Sequence, residues 1–243
     1  ANLPAQVIER VLSNMKAALA PSTLRSYRSG LRDFVGWCDG MAVTPIPASP
    51  ELVAGYVTEL AERGLSVSTI EQRLAAIRYA HEAQDIQTPT AAKAVRLTMS
   101  GIRRKVGVAA KKQAAPATAE RITAMLSHIQ GDEIKAVRDR AVLLLGFASA
   151  MRRSELVALQ LEDIERKEDG LLVTIRRSKT DQDGAGVTIA IPCGHSESTC
   201  PVAAFEAWLA AAGIESGNVF RSITRHGAMN GSMSGRAVAD IVK

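Results

Sequence analysis

With 243 residues, 47% of them hydrophobic, the chain is long enough for one large or two modest domains with a real core; it holds no uninterrupted run of 18 apolar residues, so no membrane span is expected. Three cysteines (Cys38, Cys193 and Cys200) make an odd count that argues against a disulfide framework, and with no secretory leader legible, a reducing, cytoplasmic location is expected. The net charge of +5 is uneven, with 15 lysines and arginines against 9 acids in residues 1–112 and 15 against 16 in the rest, so a polyanion is expected to face the first half, unless the charge serves solubility alone.

The first 110 residues read as helical. Leu24, Tyr27, Leu31, Phe34 and Val35 recur at helical spacing, with Ser22 as a plausible N-cap. Arg25, Arg28 and Arg32 form a stripe on another face of that helix, and Trp37 with Cys38 closes it as core. A second helix is predicted from Pro50 to Arg63, capped by Ser49, with Gly64 at its left-handed exit. Ser68-Thr69-Ile70-Glu71 reads as a capping box opening a third helix, with Ile70, Leu74 and Ile77 inward and Arg73 and Arg78 elsewhere. Tyr79, near its end, reads as a packing residue. Ala91–Val106 reads as a last helix on Val95, Met99 and Ile102, carrying Lys93, Arg96, Arg103, Arg104 and Lys105.

Residues 107–118, with Lys111 and Lys112, have no hydrophobic face and read as an exposed linker able to follow a phosphate backbone. Thr118 can cap a helix to about Gln130, and Ile134–Ala148 reads as a central buried helix. After a short leucine-rich helix in AMRRSELVALQ, the period changes to two. Leu171–Arg177 and Val187–Ile191 are predicted strands joined by the turn-rich Ser178–Gly186, and Leu161–Arg166 is a plausible third. Ala203–Ala212 and Gly235–Lys243 read as helices.

Chemistry concentrates after residue 150, where Arg152, Arg153 and Glu155 follow the apolar run. An arginine at such a place is costly unless an anion meets it, and guanidinium can donate two parallel hydrogen bonds to a phosphate. The alternative for Arg152 is a structural pair with Glu155 at i, i+3, in which Glu155 orients rather than reacts. Lys179, in the turn between the strands, could protonate a leaving oxygen or simply solvate the hairpin. Cys193, His195 and Cys200 place three possible ligands close together, but their spacing matches no zinc motif and no fourth ligand is evident beyond remote His226, so no metal is expected. His81 and His128 read as structural or surface residues, and no nucleotide-binding or hydrolase motif is present.

Four segments in order carry a resemblance: STLRSYRSGLRDFVGWC, AMRRSELVALQLEDI, LLVTIRRSKTDQDGAGVTIAIP and NVFRSITRHGAMNGSMSGRAVADIVK. Together they resemble the tyrosine recombinase (phage integrase) family over nearly the whole chain. The resemblance implies a mainly α fold with a small β-sheet: an all-helical SAM-like core-binding domain (1–106), a linker (107–117) and a partial α+β catalytic domain (118–243). It implies site-specific DNA recombination through a 3′-phosphotyrosyl intermediate, without metal or nucleotide cofactor. Arg152 would clamp the phosphate, Glu155 would orient it and Lys179 would be the general acid. Arg25, Arg28, Arg32, Arg73, Arg78, Arg96, Arg103, Arg104, Lys105, Lys111 and Lys112 would bind DNA. The partner would be a double-stranded recombination site gripped in a two-domain clamp, with self-association on DNA as in the tetrameric family enzymes.

The pattern also departs from the family. The tyrosines are Tyr27, Tyr56 and Tyr79, all upstream, and His226 is followed by Gly227, Ala228 and Met229 rather than a His-x-x-Arg box. The sequence therefore reads as a fragment or truncated form that binds DNA and does not cleave it unaided. Two other readings are a non-catalytic DNA-binding regulator on the same fold and a helical interaction module whose basic stripes are solvated faces.

Overall fold

In a computed structural model the described residues are 19–108, 115–178 and 186–242, and the chain separates into two compact units, Ala1–Gln113 and Ala114–Lys243. The first unit, as described, is four α-helices and a 3-10 turn: α1 (Pro21–Gly40), α2 (Pro50–Glu62), α3 (Val67–Glu82) and α4 (Lys93–Val106). Their apolar stripes meet in one core around Phe34, Tyr56, Leu60, Ile70, Ile77 and Met99. Burying stripes of this kind, not local propensity, supplies most of a helix's stability.

Two helix starts differ from the sequence reading. Proline at the first helical position starts α1 one residue before Ser22, so Ser22 lies inside the helix and Ala20 is the N-cap. Ser66, not Ser68, caps α3 by accepting the Thr69 N–H at 3.3 Å. Glu71 is then too far into the helix to reach the cap. Ser49 caps α2 as expected, accepting the Leu52 N–H, and Gly64 exits it at φ +77°. His81 is a structural residue: Nδ1 lies 2.8 Å from the Ile77 carbonyl, and Nε2 accepts the Ala48 N–H at 3.0 Å.

A polar cluster joins α1 to α2. The Tyr56 hydroxyl donates to Asp33 at 2.6 Å, and Arg63 donates to both Asp33 oxygens. Burial pushes the Asp33 carboxyl up, but the hydrogen bonds from Tyr56 and Arg63 outweigh it and hold the group below its ordinary value. Its stabilising contribution is therefore complete above the unfolded carboxylate pKa of about 4 and is lost as pH falls through the lower folded value. Urea titrations at descending acidic pH should show the first unit weakening over that window and Asp33→Asn flattening the slope. An unchanged slope in the variant would place the acid sensitivity elsewhere.

The second unit contains α5 (Ala119–His128), α6 (Ile134–Ser149), α7 (Arg153–Ala158), α8 (Pro201–Ala212) and α9 (Gly235–Ile241). Its antiparallel sheet runs β1 (Ile164–Lys167), β2 (Gly170–Ile175), β3 (Val187–Pro192), with Val173 facing Ile164 on one side and Ile189 on the other. The expected strand from Leu161 starts only at Ile164, because Leu161–Asp163 forms a 3-10 turn whose Asp163 carboxylate accepts the Gln160 N–H. β2 likewise ends at Ile175, before Arg176 and Arg177. Gly170 sits against β3 so closely that a Cβ would stand 2.1 Å from the Ile191 carbonyl oxygen, which only glycine avoids. A second hairpin, β4 (Arg221–Ile223) with β5 (Met229–Ser232), is absent from the sequence reading.

The core of this unit gathers Val142 and Leu145 of α6, Leu171 and Val173 of β2, and Phe205 and Trp208 of α8. Cys200 caps α8: its Sγ accepts N–H groups from Gly194 and Ala203 at 3.1 and 3.4 Å. Buried Arg138 pairs with Asp139 at 2.7 Å and donates to the Arg221 carbonyl, tying α6 to the second hairpin. No helix among the described residues is long and apolar enough to cross a membrane.

Candidate phosphate-binding site and nucleic-acid interface

The end of α6 sets the position of Arg152. Ala150 takes the left-handed conformation (φ 51°, ψ 22°) and turns the chain out of the helix; Ser149 Oγ then accepts the Met151 N–H. A non-glycine residue in that region stores about 1 kcal/mol of strain. Arg152 follows as the N-cap of α7, whose Leu156 is buried in the core and anchors the turn.

Glu155 joins this backbone to the guanidinium. One oxygen accepts the Arg152 N–H at 2.9 Å, and the other accepts from an Arg152 terminal nitrogen at 2.8 Å. The Glu155 side chain is 6% exposed and that of Arg152 is 47% exposed. The carboxylate is thus fixed from behind, while much of the guanidinium faces solvent. The pair is structural in the sense of an i, i+3 bridge, and the same bridge orients a cation outward.

The next acidic residue works in the same way. Asp163 is buried, holds the Gln160 N–H and forms an ion pair with Arg176 just beyond β2. Gln160 Nε2 donates to Asn218 at 2.6 Å. These bonds fix the exit of β2, from which the chain continues towards Lys179. Sequence reasoning missed Asp163 and Arg176; the signal available was an acid set between Leu161 and Ile164, both packed against the core. Lys179, Lys111 and Lys112 lie outside the described residues.

The basic residues of the first unit fall into two groups. Arg25, Arg28 and Arg32 are exposed along α1, and Arg78 is exposed on α3. Arg73 is half-buried between these helices, with one terminal nitrogen 3.5 Å from Ser29 Oγ and a buried Nε that has no hydrogen-bond partner among the described residues. Tyr79 lies against Tyr27 at 5.3 Å between ring centres, a further contact between α1 and α3. Arg96, Arg104 and Lys105 are exposed on α4. Arg103 differs: it donates to Glu71 at 2.7 and 3.1 Å, and this pairing occupies the carboxylate that the sequence reading gave to a capping box.

The cysteine–histidine segment splits apart. Cys200 is committed to its cap, while Cys193 and His195 are exposed, and His226 accepts from Arg225 Nε at 2.9 Å in the turn between β4 and β5. Among the described residues no three His, Cys, Asp or Glu side chains gather to hold a metal ion.

Residues 10–84 match the family of phage integrase N-terminal SAM-like domains. An integrase/recombinase XerD homologue of Selenomonas ruminantium is 36% identical over 233 residues, covering 94% of this chain and 68% of its own. The recombinase Cre of Escherichia phage P1 is 28% identical over 206 residues, covering 82% and 57% respectively. The chain therefore spans about two thirds or less of these relatives. Among solved structures, the Tn1549 transposon integrase in complex with transposon right end DNA matches with a TM-score of 0.55 at 17% identity, covering 89% of this chain and 69% of that one. This last likeness bears on the fold alone.

Proposed function

The chain belongs to the tyrosine recombinase family, and from that premise we propose that it grips double-stranded DNA for site-specific recombination and supplies the first phosphate-clamping arginine of the reaction. The observation that carries this reading is the Arg152–Glu155 arrangement: a cation fixed through a buried carboxylate, with its remaining donors turned to solvent. Two parallel N–H donors suit phosphate oxygens and stabilise the extra charge of a pentacoordinate phosphorus. In the family reaction a tyrosine oxygen attacks the phosphorus, the bond to the 5′ oxygen breaks, and that oxygen takes up a proton. Lys179 is our candidate donor for that proton, and Glu155 is a positioning residue for Arg152. The family resemblance implies no metal or nucleotide in this sequence of steps.

None of this chain's tyrosines suits the nucleophilic role. All belong to the first unit. Tyr56 is buried and donates to Asp33, and burial together with that carboxylate raises its pKa far above the ordinary phenol value. Tyr27 and Tyr79 pack on one another. Incubated with its DNA, this polypeptide should form no covalent adduct on a denaturing gel, whereas a regulator and a recombinase part would both still bind. An adduct mapped to one of these tyrosines would overturn the assignment.

Binding should follow the phosphate backbone through Arg25, Arg28, Arg32, Arg73, Arg78, Arg96, Arg104 and Lys105, with Lys111 and Lys112 as linker contacts. Arg103 should contribute less, since two hydrogen bonds already hold it on Glu71. Each phosphate contact adds about 0.9 to the slope of log affinity against log salt. Joint replacement of Arg104 and Lys105 by glutamine should lower that slope by about one to two, and Arg103→Gln by clearly less. A salt-independent affinity in the unsubstituted chain would favour a protein-interaction module. Self-association on DNA is expected, and the stoichiometry of the complex on a duplex bearing two half-sites tests it.

A further inference from the structure

α7 and α9 pack together, and beside their contact lies an open recess of about 830 Å³ bordered by Met151, Arg152, Arg153, Val157 and Arg236. A Cβ built on Gly235 would stand 3.8 Å from Arg153 Cβ, so the two arginine-bearing segments come within one side-chain atom of each other there. Three arginines thus border one concavity, Arg152 and Arg153 adjacent in the chain and Arg236 brought in from a distant segment.

Their counter-charges are unequal. Glu155 holds Arg152 from behind. Arg236 has Asp240 at 3.2 Å, but this is an exposed i, i+4 pair of the kind worth only a few tenths of a kcal/mol, easily shared with a stronger anion. Arg153 is exposed and has no hydrogen bond or ion pair among the described residues. Apart from the Ser154 hydroxyl, the remaining side chains of the recess are the apolar Met151 and Val157. The recess therefore sets the donor-bearing side chains of three arginines and a serine beside an apolar floor. Converging cations repel one another, and a ligand made of acceptor oxygens relieves that repulsion.

We propose that Arg153 and Arg236 form a second phosphate-binding site beside Arg152, taking the backbone phosphate next to the one that Arg152 contacts. The site rests on the DNA-binding reading above and adds to it a strand-positioning function: a neighbouring phosphate held here fixes the register of the strand, so that the reacting phosphate meets Arg152. Neither arginine needs to touch the reacting atoms.

The test is fluorescence anisotropy of this chain on labelled target and random-sequence duplexes over a salt series. The variants are Arg153→Gln, Arg236→Gln, the double glutamine form and the double lysine form. Both side chains are exposed, so melting temperatures should stay unchanged and separate folding from binding. The double glutamine variant should lower the salt slope by about one, equally on both duplexes, and the double lysine variant should keep the slope. A slope unchanged by the glutamine pair, in a chain that otherwise binds with normal salt dependence, overturns this site alone. A loss confined to the target duplex would make the pair base readers and overturns it as well. Salt-independent or absent binding by the unsubstituted chain would remove the recombinase reading and this site together.

Discussion

Replacing Arg152 with alanine, in a polypeptide that also carries the family's nucleophile, should slow single-turnover strand cleavage by about 10²–10³-fold while leaving DNA affinity within about tenfold. The two effects separate because one phosphate contact among many adds little to affinity, whereas the charge that develops on phosphorus exists only in the transition state. Arg152→Lys should recover part of the affinity and little of the rate, since an ammonium lacks the parallel donors. Glu155→Gln should slow cleavage with a smaller effect. The amide can still accept the Arg152 N–H, but it no longer anchors the guanidinium by charge. Rapid-quench cleavage and equilibrium binding, measured on the same preparations, check this. Equal losses in binding and cleavage for Arg152→Ala would assign it to ordinary backbone grip.

Trp208→Ala should cost the second unit about 3–5 kcal/mol, a large share of the 5–15 kcal/mol that typically holds a domain together. Trp208 is fully buried at the centre of the core, and its indole N–H donates to the Val219 carbonyl at 2.8 Å. Truncation removes the ring, opens a cavity and leaves that carbonyl unsatisfied. Trp208→Phe retains most of the packing and should lose about 1–3 kcal/mol, chiefly through the orphaned carbonyl. The only other tryptophan, Trp37, belongs to the first unit. In Trp208→Ala, its fluorescence therefore reports that unit alone. The Trp37 transition in urea should stay in place while the circular dichroism of the second unit melts earlier. A Trp37 transition displaced by the same amount would mean that the two units unfold as one.

Much of the fold was legible because its signals are local. The 3.6-residue stripes of α1 to α4 can be read from apolar spacing, and the period-two runs of β2 and β3 from β-branched residues. The caps at Ser49 and Thr118 lie where short polar side chains precede such stripes. The misplaced starts have different causes: Pro21 at the first helical position sets the start of α1, and at α3 Ser66 and Ser68 offered competing caps between which packing chose. Ser66 caps α3 because that start buries Val67 and Ile70 together. The β4–β5 hairpin left no pattern, since three- and four-residue strands are too short to show a period.

The sequence by itself determined the helical character of the first unit, the mixed character of the second, the basic excess of residues 1–112 and the placement of Arg152 and Glu155 one helical turn apart. Each of these depends on neighbours within a few positions, where backbone geometry fixes the distance. Tertiary structure alone decided which charges are already spent and which remain available. Glu71 reaches Arg103 across two helices, Asp163 reaches Arg176 from a turn to a strand end, and α9 brings Arg236 beside Arg153. Coulomb attraction and hydrogen bonding act over a few ångströms of space, and for residues far apart along the chain only the packed core sets that distance.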